Sequence, residues 1–180
     1  MRKKKSMTTI AHDLERIAAQ EKTLVFSHFD NASAWLLGAR IQEICVAKEV
    51  AVTIEIRLSG ETVFFYAMPK TAPANADWAR RKRNTVELMH RSSYGVGLSL
   101  QIDGGTLEEN MGLPLRDFAS HGGSFPIRVA SIGCVGTVTV SGLPQRDDHA
   151  LVVAVLAEMC GVSIDSIELE PAGRMTSQAV

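Results

Sequence analysis

Apolar and polar positions alternate with two different periods along this chain, and the changes of period mark out its elements. In residues 51–58, Val52, Ile54, Ile56 and Leu58 interleave with Thr53, Glu55 and Arg57, the rhythm of a strand with one buried face. Ser59-Gly60 supplies a tight turn into residues 63–68, which are apolar on both faces and predict a strand covered on both sides. A second hairpin is predicted over residues 125–129 and 132–141, turning at Ala130-Ser131, with Thr, Val and Ile dominant in its second arm.

Helical spacing governs the segments between the hairpins. Residues 8–20 put Ile10, Leu14 and Ile17 on one side of a short helix, and Leu24-Val25-Phe26 then predicts a brief strand or covering segment. Asp30 or Asn31 caps a helix running to about residue 48. At about 100° per residue, its Ala34, Leu37, Gly38, Ile41, Ile44 and Cys45 share the face that packs on a sheet. Trp35, Ala39 and Val46 lie nearly opposite, where a lone subunit would be polar, so something is expected to cover them. Pro69 and Pro73 force a loop, and Asn75 or Asp77 opens a helix to about residue 91. There Trp78, Thr85, Val86, Leu88 and Met89 gather on one side, and Lys82 falls among them. An ammonium in that position has to snorkel, find a carboxylate or face a ligand. Another helix is expected near residues 94–101, followed by a loop to Pro114.

Asp147 or Asp148 caps the last predicted helix, residues 150–160, whose run from Leu151 to Ala157 is apolar almost all round. A helix of that kind is buried on every side. In so small a domain the second covering surface is expected to be another copy, which predicts a homo-oligomer joined through this helix and the Trp35 face. The tail from Ile164 is expected to add a short strand and then fray.

A length of 180 residues bounds one domain, drawn as residues 23–163 with an N-terminal extension and short helix at 1–22 and a tail at 164–180. Hairpins alternating with helices predict an α+β fold with a mainly antiparallel sheet. With 46% hydrophobic and 22% charged residues and a net charge of −1, the chain is globular, and nucleic acid is not an expected partner. No apolar run approaches membrane-spanning length. Cys45, Cys134 and Cys160 lack any metal-binding spacing and read as buried thiols of a reducing compartment, with no metal site expected. The basic start runs into His12, Asp13, Glu15 and Arg16 instead of an apolar h-region, so a cytoplasmic location is expected.

Candidate chemistry concentrates between Asp117 and His149. Gly122-Gly123 open the backbone beside His121, and Asp117 would orient the imidazole if that stretch were helical. The competing reading is a loop histidine that caps backbone groups. Asp147-Asp148-His149 cannot all face one ion, because adjacent helix positions diverge by about 100°. The aspartates read as a helix cap and His149 as a buried or interface group. Arg80-Arg81-Lys82-Arg83 reads as a solvated face, Lys82 excepted, and Gly95-Val96-Gly97 lacks the dinucleotide-binding spacing. No nucleophile motif accompanies these residues, which leaves open whether the protein is an enzyme.

The run from Trp78 to Val86 with Ser92-Ser93, the stretch from Asp117 to Ile127, and Val140-Ser141-Gly142-Leu143-Pro144 through Asp148-His149 together resemble the haem-degrading-domain proteins, a branch of the GlcG and HbpS-like superfamily, over about residues 24–162. The resemblance implies a three-layer α/β/α, profilin-like domain with a five-stranded, mainly antiparallel sheet, assembled into a homo-oligomer. It also implies haem or a related tetrapyrrole as the candidate cofactor, since some relatives bind one. Three functional readings follow. The first is a cytoplasmic oligomer binding a tetrapyrrole or another small molecule near His121, Gly122, Gly123, Lys82, Ser93 and Asp117. The second is a haem-modifying enzyme with His121 as acid/base or iron ligand, and the third is a non-catalytic interaction or chaperone-like scaffold.

Overall fold

The computed structural model describes residues 2–170, with the backbone alone for residues 2–8. Its centre is an antiparallel sheet of β1 (Thr53–Leu58), β2 (Glu61–Ala67), β3 (Ser124–Val129) and β4 (Gly133–Ser141) in the order β2-β1-β4-β3. Both predicted hairpins form, but the sheet has four strands where five were expected. The Leu24-Val25-Phe26 run makes a single parallel bridge, with Phe26 N–H donating to the Arg128 carbonyl at 2.8 Å and Ala130 N–H donating to the Phe26 carbonyl at 2.9 Å. Four residues later Asp30 must be the N-cap of the next helix, accepting the Ser33 N–H at 2.8 Å, which leaves no length for a ladder.

The two faces of the sheet differ in chemistry, and helices cover both. Ile54, Ile56, Phe125, Val138 and Val140 are buried on the apolar face under α2 (Asn31–Ala47) and α6 (Gln145–Cys160). The other face presents Thr53, Glu55, Arg57, Ser124, Thr137, Thr139 and Ser141 and packs against α3 (Pro73–Met89). The alternation in β1 therefore marks an apolar and a polar face, both covered, instead of a core face and a solvent face. Arg83 reaches Glu55 at 2.9 Å and Arg57 reaches Glu87 at 3.1 Å, so α3 brings the charges that the polar face needs.

Within α2 the expected stripe is buried at Ala34, Leu37, Gly38, Ile41 and Cys45. Its opposite face is open in the single chain: Trp35 is 66% exposed, and its ring sits 5.6 Å from Phe64 of β2. β2 itself lies at the sheet edge with Phe65 52% exposed, which corrects the expectation of a strand covered on both sides. The correction runs the other way for α6. Leu151, Val152, Val153, Val155, Leu156 and Ala157 are all buried within this one chain, between the sheet, α2, α4 (Ser93–Asp103) and a short turn at Ile164–Ser166. No second copy is needed to cover that helix.

Three boundaries moved for local reasons. Pro73 opens α3 at N1, where its missing N–H costs nothing, and Asn75 accepts the Ala72 N–H at 2.9 Å. A five-residue helix, α5 (Leu107–Met111), forms in the predicted loop after Thr106 caps it. A 3-10 turn stands where the tail was expected to form a strand, and residues 171–180 lie outside the described residues.

The first helix, α1 (Arg2–Thr23), crosses α4 with Ile17 packed on Tyr94 and Leu98. Polar contacts fix it further: Asp13 pairs with Arg146 at 3.0 Å, and Glu21 accepts the Ser92 N–H at 2.7 Å. Gln20 bonds the Nε2 of His149 at 2.8 Å. His149 is 1% exposed and its Nδ1 has no hydrogen-bond partner among the described residues. Burial, aided by Arg146, depresses its pKa to about 3 from the ordinary 6.5. Above 6.5 both folded and unfolded chains hold this residue neutral. Below 6.5 the unfolded chain takes up a proton that the folded chain refuses until about pH 3, so stability falls with acid. Urea unfolding between about pH 7.5 and 5 is expected to show a loss of up to about 1.4 kcal/mol per pH unit below the unfolded pKa. The loss should be shallower in His149→Gln, and an equal slope in that variant would show that another group is responsible.

Candidate functional site

Lys82 is 3% exposed because its phase on α3 turns it toward the end of the polar face. Its Nζ donates to the Val140 carbonyl at 3.2 Å and to the Asp148 carboxylate at 2.8 Å. Asp148, 1% exposed, sits in the first turn of α6, where a side chain leans back over the preceding residues. It accepts the Leu143 N–H at 3.0 Å and the Gly142 N–H at 3.4 Å. The residue in the N-cap position of α6 is Pro144, with no side-chain cap, so the expected cap role of Asp147 or Asp148 is corrected. Asp147 is exposed and His149 faces α1, which separates the three neighbours as the helical angles require. Burial pushes the Lys82 pKa down and the Asp148 pKa up, and their mutual attraction opposes both shifts.

The two glycines make this pair possible. Gly123 has φ +126°, and a Cβ there would lie 2.8 Å from Lys82 Nζ, 3.0 Å from Asp148 Cβ and against the Val140 carbonyl. A Cβ on Gly122 would run into the Gln145 carbonyl, and its N–H donates to Gln145 Oε1 at 3.3 Å. His121 precedes them and is exposed, with its ring edge-on to Trp78 at 4.9 Å. Partial burial, then Lys82 and Arg81, lower the His121 pKa, so the imidazole is neutral at neutral pH. The Arg81 guanidinium lies over the Trp78 ring at 4.3 Å.

These groups enclose a pocket of about 210 Å³ at the end of the sheet where β3 begins and β4 finishes. Trp78 and His121 line it together with the Lys82–Asp148 pair, with Asn75 and Gln145 as further polar wall. Of the sequence candidates, His121, Gly122, Gly123 and Lys82 come together here. Asp117 does not: it lies in a turn, pairs with Arg80 at 3.0 Å, and its carbonyl accepts the Asn84 amide at 2.8 Å. Ser93 is buried and staples α4 to β3, accepting the Ser124 N–H at 3.1 Å and donating to the Ser124 carbonyl at 3.3 Å. Of the arginines expected on a solvated face, Arg80 is 37% exposed and pairs with Asp77 and Asp117, whereas Arg83 is 13% exposed and turned to Glu55 at 2.9 Å. Trp78, Asn75, Gln145 and Asp148 were missed as site residues. Trp78 stands one helical turn before Lys82, and that spacing was a usable signal.

This architecture defines a three-layer α/β/α domain with helices on both faces of an antiparallel sheet and one pocket at the sheet end. The chain belongs to the family described as haem degrading protein HbpS-like, whose family model matches residues 29–157. A UPF0303 protein of Azotobacter vinelandii strain DJ is 56% identical over 158 residues, spanning 88% of this chain and 95% of that one. The crystal structure of the Ybr137w protein matches with a TM-score of 0.76 at 29% identity, covering 82% of this chain and 87% of that one. The crystal structure of a PduOC:Heme complex matches with a TM-score of 0.58 at 18% identity, covering 67% of this chain and 87% of that one, and shows likeness of fold.

Removing one partner of a buried pair strands the other charge, whereas removing both does not. Lys82→Met is therefore expected to cost about 3–5 kcal/mol in urea unfolding, with the Lys82→Met, Asp148→Asn double variant recovering a good part of that loss. Strictly additive costs would show that the two groups are not energetically coupled.

Proposed function

We propose that this is a cytoplasmic, homo-oligomeric small-molecule-binding protein whose ligand contacts the Trp78–His121 pocket, with haem as the candidate cofactor. The observation that carries this reading is an exposed His121 held on Trp78 beside Arg81. A neutral imidazole suits iron, and the guanidinium and indole suit a propionate and a ring edge. Membership of an HbpS-like family and a fold neighbour solved as a haem complex support haem as the first ligand to test. The three free cysteines fit a reducing compartment.

Size limits how haem would fit. Sites that enclose a drug-sized ligand measure roughly 300–1,000 Å³, and this pocket is about 210 Å³. His121 at the rim would hold the iron and Arg81 a propionate, while most of the macrocycle would lie outside the pocket. Haem bound in this way would supply a redox-active iron. A larger groove of about 680 Å³ runs between α1, α2 and α6, but no histidine, cysteine or methionine lines it.

The oligomer in this reading forms through the open face of α2 and the edge strand β2. Trp35, Leu36 and Val46 are exposed on α2, and Phe65 and Tyr66 are exposed on β2, where the edge also leaves backbone groups unpaired.

Titration with micromolar haem is expected to give a shifted Soret band, with affinity at least tenfold weaker in His121→Ala. An unchanged shift in that variant would move the haem site elsewhere, and no shift in the wild-type protein would remove haem from the reading. For the assembly, Trp35→Glu combined with Phe65→Glu is expected to lower the mass measured by light scattering, and an unchanged mass would rule out this face as the interface.

A further inference from the structure

Lys22, Lys48 and Lys70 are exposed, whereas Lys82 is buried and forms part of a pocket wall. A buried ion pair adds little stability over well-packed apolar side chains of the same volume, so stability alone gives weak reason to keep one in a cavity wall. The geometry at the nitrogen is specific. Nζ is bonded to its own Cε and donates to Val140 and to Asp148, and a tetrahedral nitrogen then has one direction left. That direction carries the third N–H of the ammonium or the lone pair of the free amine.

We propose that Lys82 condenses reversibly, as an imine, with the aldehyde or ketone group of a small molecule seated in the 210 Å³ pocket. This deepens the small-molecule reading of the site, rests on it, and does not depend on haem. The pocket size selects a compound much smaller than a tetrapyrrole. Trp78 contributes apolar lining, and Asn75 and Gln145 offer amides to the ligand's polar substituents.

Asp148 supplies and accepts each proton in the sequence. The ammonium passes a proton across 2.8 Å to the carboxylate, and rotation about Cε–Nζ turns the lone pair so formed from Asp148 to the open direction, leaving a free amine beside a carboxylic acid. Burial favours that step, since it lowers the proton affinity of the lysine and raises that of the aspartate. The nitrogen lone pair attacks the carbonyl carbon and forms the C–N bond, while the C=O π pair moves to oxygen, which takes the proton back from Asp148. A nitrogen proton then returns to Asp148 and is delivered to the hydroxyl, which leaves as water as the C=N bond forms. Amine plus carbonyl gives imine plus water, with no oxidation or reduction. The product is a protonated imine facing a carboxylate, so the charge inside the site is the same at the end as at the start.

Propanal with sodium cyanoborohydride at about pH 7.5 tests this in the full chain. Reduction would fix the imine as a stable N-propyl group, located by peptide mass mapping. Labelling is expected to favour Lys82 over the exposed Lys22, Lys48 and Lys70 by at least tenfold, because Lys82 stands in the pocket wall with Asp148 at 2.8 Å to carry its protons. Lys82→Arg, with its fold checked by circular dichroism, should lose that label. Trp78 fluorescence in a Trp35→Phe background reports occupancy independently, since these are the two tryptophans of the chain. A saturable fluorescence change without enrichment at Lys82 would overturn the imine and keep the pocket. Neither a saturable change nor a Lys82 adduct would overturn both.

Discussion

Lys82 of α3 and Asp148 of α6 come from opposite sides of the sheet and meet at its end, 2.8 Å apart, where β4 gives way to the turn before α6. Taking two ions out of water costs several kcal/mol for each. The site offsets this with the Val140 carbonyl on the ammonium and the Gly142 and Leu143 N–H groups on the carboxylate. Those partners dictate much of the local structure. The turn after β4 has to present two N–H groups to one carboxylate, and the residue just before β3 has to lack a Cβ at the point of closest approach. Gly123 meets the second condition in a backbone conformation that other residues rarely adopt.

The same constraint explains which parts of the site were legible in the sequence. Lys82 was identifiable because a charged residue stood in the wrong phase on a helix, and the phase implied a carboxylate or a ligand. Its partner was hidden by position: an aspartate in a first turn has a sufficient local explanation in the helix dipole, and nothing in the chain marks Asp148 as pointing elsewhere. Trp78 looked like core because it shares the helical face of Val86. In the structure the face divides along its length, with Val86 under the sheet and Trp78 beyond the sheet end at the pocket.

The fold was legible to a similar depth. Periodicity located both hairpins and the buried stripe of α2, because those depend on contacts local in sequence. It misassigned β1 and β2, because an alternating strand cannot say what covers its polar side. In this domain α3 covers it, carrying Lys82 and Arg83 toward Asp148 and Glu55 on the elements beneath. β2 is apolar at both parities and yet has an open outer edge. For the helix of residues 150–160 the difference is one of scale: apolarity all round predicts a second subunit, but two helices, one sheet face and a returning turn enclose it.

Two kinds of apolar surface therefore have to be distinguished in this chain. α6 is apolar because the monomer buries it, so its composition carries no information about assembly. Trp35, Leu36, Phe65 and Tyr66 are apolar where the monomer leaves them in water, on the side of the sheet away from the β3 edge. The pocket opens at the end where β3 begins, next to α3 and the start of α6, and none of those four side chains lines it. An assembly built on the α2–β2 face would leave the Trp78–His121 rim available to ligand, so oligomerisation and binding would draw on separate parts of the surface.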